Sequence, residues 1–288
     1  MKTTVALGFF DGVHLAHQKI IRTAVEQAVG MRALALTFDR APAEVLFNAP
    51  VAYMTSKNER ERLIASMGAE CVSLSASPEL LKMSGEAFVK EILIEKLQAA
   101  ALVCGYNYSF GSDLLGAGDL KTIGDSFGLS VTVLPEESCG GESISSSRIR
   151  TLLEKGETQA AAELLGRPYS ITKVVEQGKH LGRTMGFPTI NLYPEPWRVQ
   201  LPRGVYATWV EFGGKRLKGV TNIGINPTVG DKNMRVETHI PHFSGNLYGE
   251  EVTVYFVRFL RPEQKFSSVD ELFSQIAADT AEAQRVLC

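Results

Sequence analysis

Two periodicities alternate along the first half of the chain. Thr3–Phe9 is a β-rich run, Leu15–Val29 places Ile20, Ile21, Ala24, Val25 and Ala28 on one helical face, and Ala33–Phe38 is again extended. The same rhythm continues through a charged amphipathic stretch at Lys57–Met67, a strand at Cys71–Leu74, a helix starting near Ser84 and a strand at Ala101–Cys104. A βαβ rhythm of this kind predicts a parallel sheet with helices on both faces.

Near Pro168 the pattern changes. Gly204–Phe212, Leu217–Ile223, Met234–Ile240 and Val252–Phe259 are β-like runs separated by Gly, Pro and Asn turns, as expected of an antiparallel barrel. A closing helix is expected from about Ser268, with Ser268 and Glu271 as its capping pair and Val269, Leu272, Phe273 and Ile276 facing the barrel. Short helices around Arg148–Lys155 and Thr158–Leu165 bridge the two patterns. The division into domains 1–166 and 167–288 follows, in an α/β chain of 288 residues with room for two cores.

Composition narrows the function classes. Thirty Lys and Arg against 32 Asp and Glu leave a net charge of -2, so global charge gives no reason to expect nucleic acid as a partner. No segment has membrane-spanning length, and the cysteines are too scattered for a CxxC zinc site. A reducing cytoplasm fits these features.

Gly8-Phe9-Phe10-Asp11-Gly12-Val13-His14-Leu15-Ala16-His17 leaves a strand, turns at glycine and starts a helix with His14 and His17 in its first turn. Unpaired N–H groups and the helix dipole suit that place to a triphosphate. Taken alone, a His-x-x-His pair equally well caps or packs a first turn. In the second half, Gly178-Lys179-His180-Leu181-Gly182-Arg183-Thr184-Met185-Gly186-Phe187-Pro188-Thr189-Ile190-Asn191 combines a glycine-rich loop, whose N–H groups can approach phosphate, with an extended segment. Thr189 and Asn191 fall on one side of that segment as hard oxygen donors, suited to Mg²⁺ carried by ATP. A turn with a hydrogen-bonded Thr-Asn pair is the plainer alternative.

Further motifs tie these two blocks together. Thr37-Phe38-Asp39, the loop Gly105-Tyr106-Asn107-Tyr108-Ser109-Phe110-Gly111 and the run Ser145-Ser146-Ser147-Arg148-Ile149-Arg150 accompany the first block. Gly204-Val205-Tyr206, Asn222-Ile223-Gly224, Asn226-Pro227-Thr228, Arg235–Ile240 and Leu247-Tyr248-Gly249 accompany the second. In this order they resemble the bacterial bifunctional riboflavin kinase/FAD synthases.

The resemblance implies a Rossmann-like nucleotidyltransferase domain followed by a riboflavin-kinase barrel with a terminal helix. Riboflavin would be phosphorylated to FMN and FMN adenylylated to FAD, with ATP as co-substrate and Mg²⁺ as cofactor. It assigns His14 and His17 to transition-state stabilisation in adenylylation. Gly8, Phe10, Asp11, Asn107, Ser146, Ser147 and Arg150 are assigned to the nucleotide, and Tyr108 and Phe110 to the flavin. In the second half it assigns Gly178, Gly182, Arg183, Gly186 and Pro188 to ATP, Thr189 and Asn191 to the metal, and Glu237 to taking the proton of the riboflavin 5′-hydroxyl.

The chain departs from the family pattern at Ala16, usually glycine, at Arg40-Ala41, often Pro-His, and at Asn226, often arginine. Three alternatives stay open on the sequence: a kinase with weakened adenylylation, a non-catalytic flavin sensor, and transfer to a different phosphate.

Overall fold

The computed structural model describes residues 1–176, 189–225 and 234–287, which cluster into two compact units, Met1–Ser146 and Ser147–Cys288. The first unit begins with β1 (Thr3–Leu7), α1 (Leu15–Gln27), β2 (Arg32–Phe38), α2 (Pro42–Phe47), α3 (Lys57–Ala65) and β3 (Glu70–Leu74). After α4 (Pro78–Leu81), α5 (Gly85–Ala87) runs into a π-helix over Phe88–Lys96 and then β4 (Ala99–Gly105). A short hairpin of β5 (Ser109–Phe110) and β6 (Leu115–Gly116), then α6 (Ala117–Ser126), β7 (Ser130–Leu134) and a second hairpin of β8 (Ser138–Cys139) and β9 (Glu142–Ser143) complete it.

The five long strands pair in parallel in the order β3-β2-β1-β4-β7. Alternation along each strand divides the core between two faces. Val5, Leu7, Leu34 and Leu102 pack with Phe88, Val89 and Leu93 of the π-helix and Leu120 of α6. Ala6, Ala35 and Val103 point the other way, towards Ile20, Ile21 and Ala24 of α1 and Ile64 of α3. From β1 the chain lays down β2 and β3 on one side and β4 and β7 on the other. The strand order therefore reverses between β1 and β4, where an open parallel sheet presents a crevice at its C-terminal edge.

The second unit contains α7 (Ser146–Glu154), α8 (Thr158–Leu165), β10 (Tyr169–Val174), β11 (Thr189–Leu192), β12 (Gly204–Phe212), β13 (Lys215–Ile225), β14 (Met234–His239), β15 (Glu251–Pro262) and α9 (Val269–Val286). Its strands form an antiparallel half-barrel in the order β10-β15-β12-β13-β14-β11. One face buries Tyr169, Ile171, Leu192, Val210, Ile223, Val236, Val254 and Phe256. Within it the hydroxyls of Thr208, Thr221 and Thr238 satisfy one another at 2.8 Å per step. On the other face α9 covers Val205, Ala207 and Val220 with Ala283 and Leu287. Helix α8 packs on β15, where the Thr158 hydroxyl donates to the Val257 carbonyl at 3.1 Å, so it clusters with the half-barrel.

Ser268 and Glu271 cap α9 as expected, while the expectation for Val269 is corrected. The Ser268 hydroxyl accepts from the Glu271 N–H at 3.2 Å, but the Glu271 carboxylate reaches back to the Ser267 N–H and hydroxyl, so the reciprocal half of the cap lies one residue early. Val269 does not face the sheet. It is 57% exposed, one turn ahead of the packed stripe of Leu272, Ile276, Asp279, Ala283 and Leu287.

Candidate active sites

The first candidate site lies where β1 ends. His14 is the extended N-cap residue of α1, and its Nδ1 accepts a long 3.4 Å hydrogen bond from the His17 N–H. The two imidazoles stack, with centroids 3.6 Å apart and planes 19° apart. Ala16 lies within α1, in helical backbone.

Around the histidines the loop is tightly held. Buried Asp11 accepts from the Met54 N–H at 3.0 Å, the Thr55 N–H at 3.1 Å and the Thr55 hydroxyl at 3.1 Å. Gly12 N–H donates to the Thr55 hydroxyl at 3.1 Å, and the Ser146 hydroxyl donates to the Asp11 carbonyl at 3.3 Å. Buried Arg60 donates to the Phe38 carbonyl at 2.7 Å and lies 4.7 Å over the Phe9 ring. Burial lowers the pKa of its guanidinium, against which the Asp11 carboxylate acts. Tyr53 receives the Ala41 N–H and donates to Glu44, and burial pushes its phenol up to about 12, so it remains a donor.

Phe10 is fully buried, and the Asp11 carboxylate is bonded to the backbone N–H groups of Met54 and Thr55. Gly8 serves packing: a Cβ there would stand 2.8 Å from the Phe10 ring.

At the end of β4, Asn107 is exposed. Tyr108 and Phe110 stack with centroids 5.8 Å and planes 11° apart, and burial raises the Tyr108 phenol. Phe110 belongs to the core beside Phe88, so it backs Tyr108 from inside. Gly111, at φ +73°, passes so close to Gly85 that a Cβ would meet the Gly85 nitrogen at 2.4 Å. That crossing ties the loop to the start of α5, where the Gly85 N–H donates to Asp113 at 2.9 Å. Exposed Ser147 and partly buried Arg150 lie on α7.

The second candidate site is the outer face of β11, β14 and β13. Glu237 is registered across from Asn191 on one side and Asn222 on the other, which puts three polar side chains in a row across the sheet. The Thr189 hydroxyl donates to Glu237 Oε1 at 3.0 Å, and Arg235 pairs with the same carboxylate at 2.8 Å. They line a cavity of about 1090 Å³ whose lining also includes Phe243–Tyr248 and Leu272, Ile276 and Asp279 of α9. Arg261 clasps Asp279 through Nε and Nη2 at 2.9 and 2.6 Å, and Gln275 adds a bond at 2.8 Å, fixing the helix over the cavity. Gly178, Gly182, Arg183, Gly186 and Pro188 lie outside the described residues.

Sequence reasoning gave no role to Asn222, Arg235, Arg261 or Asp279. Strand alternation carried a signal for the first, since Asn222 and Glu237 fall on the same face once β13 and β14 are paired. The Arg261–Asp279 clasp joins a strand end to a helix and left no local pattern.

Residues 1–148 match the family model for FAD synthetase, and residues 165–287 match that for riboflavin kinase. The bifunctional riboflavin kinase/FMN adenylyltransferase of Listeria monocytogenes is 34% identical over 96% of this chain and 89% of its own length. That of Bacillus subtilis is 33% identical over 99% and 92%, and that of Escherichia coli K12 is 32% identical over 97% and 91%. A crystal structure described as a macrolide-efflux protein from Streptococcus pneumoniae matches with a TM-score of 0.88 at 32% identity, covering 98% of this chain and 94% of that one. Among the described residues no helix is long and apolar enough to cross a membrane.

Proposed function

The chain belongs to the bifunctional riboflavin kinase/FMN adenylyltransferase family, and from that premise we propose that Glu237 drives conversion of riboflavin to FMN while His14 and His17 serve conversion of FMN to FAD. The observation that carries this is Glu237, set between Asn191 and Asn222 on the wall of a cavity large enough for a flavin. In the kinase step Glu237 takes the proton of the riboflavin 5′-hydroxyl as that oxygen bonds the γ-phosphorus of ATP and ADP leaves. Positioning and charge neutralisation supply most of the rest. Thr189 and Asn191 offer neutral hard oxygens beside this carboxylate, a donor set that fits Mg²⁺ brought by ATP phosphates. Bound there, the ion would neutralise phosphate charge.

In the second step an FMN phosphate oxygen bonds the α-phosphorus of another ATP and pyrophosphate leaves. His14 and His17, in the first turn of α1, stabilise the developing charge in this reading, which their position at the helix N-terminus supports. Asn107 and Ser146 flank the same crevice end of the sheet, with Tyr108 as the aromatic for the flavin ring. Cys71, Cys104 and Cys139 are unbridged thiols, which supports a reducing cytoplasmic setting. We keep the boundary between the two functions near Gly166, with α8 before it packed on β15 of the half-barrel.

The test is a time course with riboflavin, Mg²⁺ and ATP, with products separated by chromatography. FMN should rise first and FAD follow. Riboflavin left unphosphorylated would refute the kinase assignment, and FMN that never becomes FAD would refute the other.

A further inference from the structure

Glycine, phenylalanine and two histidines form one continuous pile at the end of β1. A side chain at Gly8 would collide with Cε1 and Cζ of Phe10 at 2.8 and 2.9 Å, so the missing Cβ is the space the ring occupies. Phe10 itself is in left-handed backbone, φ 57°, which bulky residues rarely adopt. Its ring is fully buried and meets His17 edge-on, with centroids 5.3 Å and planes 85° apart. His17 in turn lies flat against His14.

Buried Val13 is left-handed as well, at φ 42°, an unfavourable state for a β-branched residue. The Val13 N–H bonds the Phe10 carbonyl at 3.1 Å and the Val13 carbonyl accepts from the Gln18 side chain at 3.0 Å, while Asp11 and Gly12 fasten the loop to Met54 and Thr55. Such strain is retained where the surroundings over-determine the conformation. Here what it fixes is the placement of one ring against an imidazole.

We infer that Phe10 is a positioning residue of FMN adenylylation: its buried ring, admitted by Gly8 and aimed by the strained loop, sets the plane of His17 and through it that of His14. The inference rests on the proposed role of the two histidines. It differs from nucleotide contact, because the ring reaches no solvent.

The experiment is a double-mutant cycle in the full chain, combining Phe10→Met with His17→Ala and measuring FMN adenylylation. Methionine keeps most of the apolar volume and removes the ring edge. In the native background Phe10→Met should lower kcat by about tenfold, within the range a misplaced catalytic group produces, and leave KM for ATP within about twofold. In the His17→Ala background the same change should cost no more than about twofold, as coupled residues require. The His17 ring proton resonances of the single variant should also lose their ring-current displacement. Equal losses in both backgrounds, or an unchanged kcat, would overturn the positioning role alone. Unaltered adenylylation in His17→Ala would overturn the histidine assignment, and this inference with it.

Discussion

Asn191 and Glu237 stand directly opposite one another in the antiparallel pair of β11 and β14, with the Thr189 hydroxyl 3.0 Å from the Glu237 carboxylate. A carboxylate and two neutral oxygen donors are thereby fixed by backbone pairing rather than by a loop. Glu237→Gln keeps the size and the hydrogen bond from Thr189 but removes the base. Riboflavin phosphorylation should fall by about 10²–10⁴-fold, the scale of general-base catalysis, with FMN adenylylation spared. Steady-state assay of each half-reaction checks this, and near-native kinase turnover would move the role elsewhere.

Asp11 makes a stability prediction. Its carboxylate receives two backbone N–H groups and a hydroxyl in a site only 1% exposed. Asp11→Asn keeps Oδ1 as an acceptor but removes the charge and turns an NH₂ towards the Met54 N–H, which lies 3.2 Å from Oδ2, and should cost about 1.5–3 kcal/mol, the range for a hydrogen bond to a charged group. Urea unfolding of the full chain measures it. Adenylylation should decline while riboflavin phosphorylation at low urea persists.

Ala16 replaces a glycine usual in the family, yet it occupies helical backbone in α1. Ala16→Gly should leave FMN adenylylation unchanged or slightly lower, because glycine costs a helix about 1 kcal/mol. A tenfold gain in kcat/KM would mean that the methyl group crowds the phosphates.

Helix α8 bears on where the kinase can be cut. Ala161, Leu164 and Leu165 are buried and Thr158 bonds β15. A fragment from Ser147 to Cys288 should fold and phosphorylate riboflavin. One starting at Arg167 loses two buried leucines, each contributing about 1.5–3 kcal/mol, and should be markedly less stable. Circular dichroism with a kinase assay compares them, and equal stability would show that α8 is dispensable.

Much of this was legible in the chain because the periodicities were unambiguous. Thr158–Leu165 and Gly204–Phe212 have the bounds their patterns suggest. The π-helix was not legible, since Phe88, Val89 and Leu93 satisfy α and π spacing alike. The packing roles of Asp11 and Phe10 were not legible, because their partners are either remote, as Met54 and Thr55 are, or set by ring packing, as with Gly8 and His17. Local pattern carries neither relation. Val269 misled for a related reason: it extends an apolar helical stripe one turn beyond the sheet that stripe covers.

Separate sites for the two steps are tested most directly by mixing two inactivated proteins. Glu237→Gln given riboflavin, ATP and Mg²⁺ should form almost no FMN, whereas His17→Ala should accumulate FMN and form FAD about 10²-fold more slowly, the scale of losing one preorganised donor. Combined, they should restore FAD formation, with FMN passing between molecules through solution. A mixture that makes no more FAD than His17→Ala alone, or Glu237→Gln protein that still phosphorylates riboflavin at the native rate, would contradict the assignment.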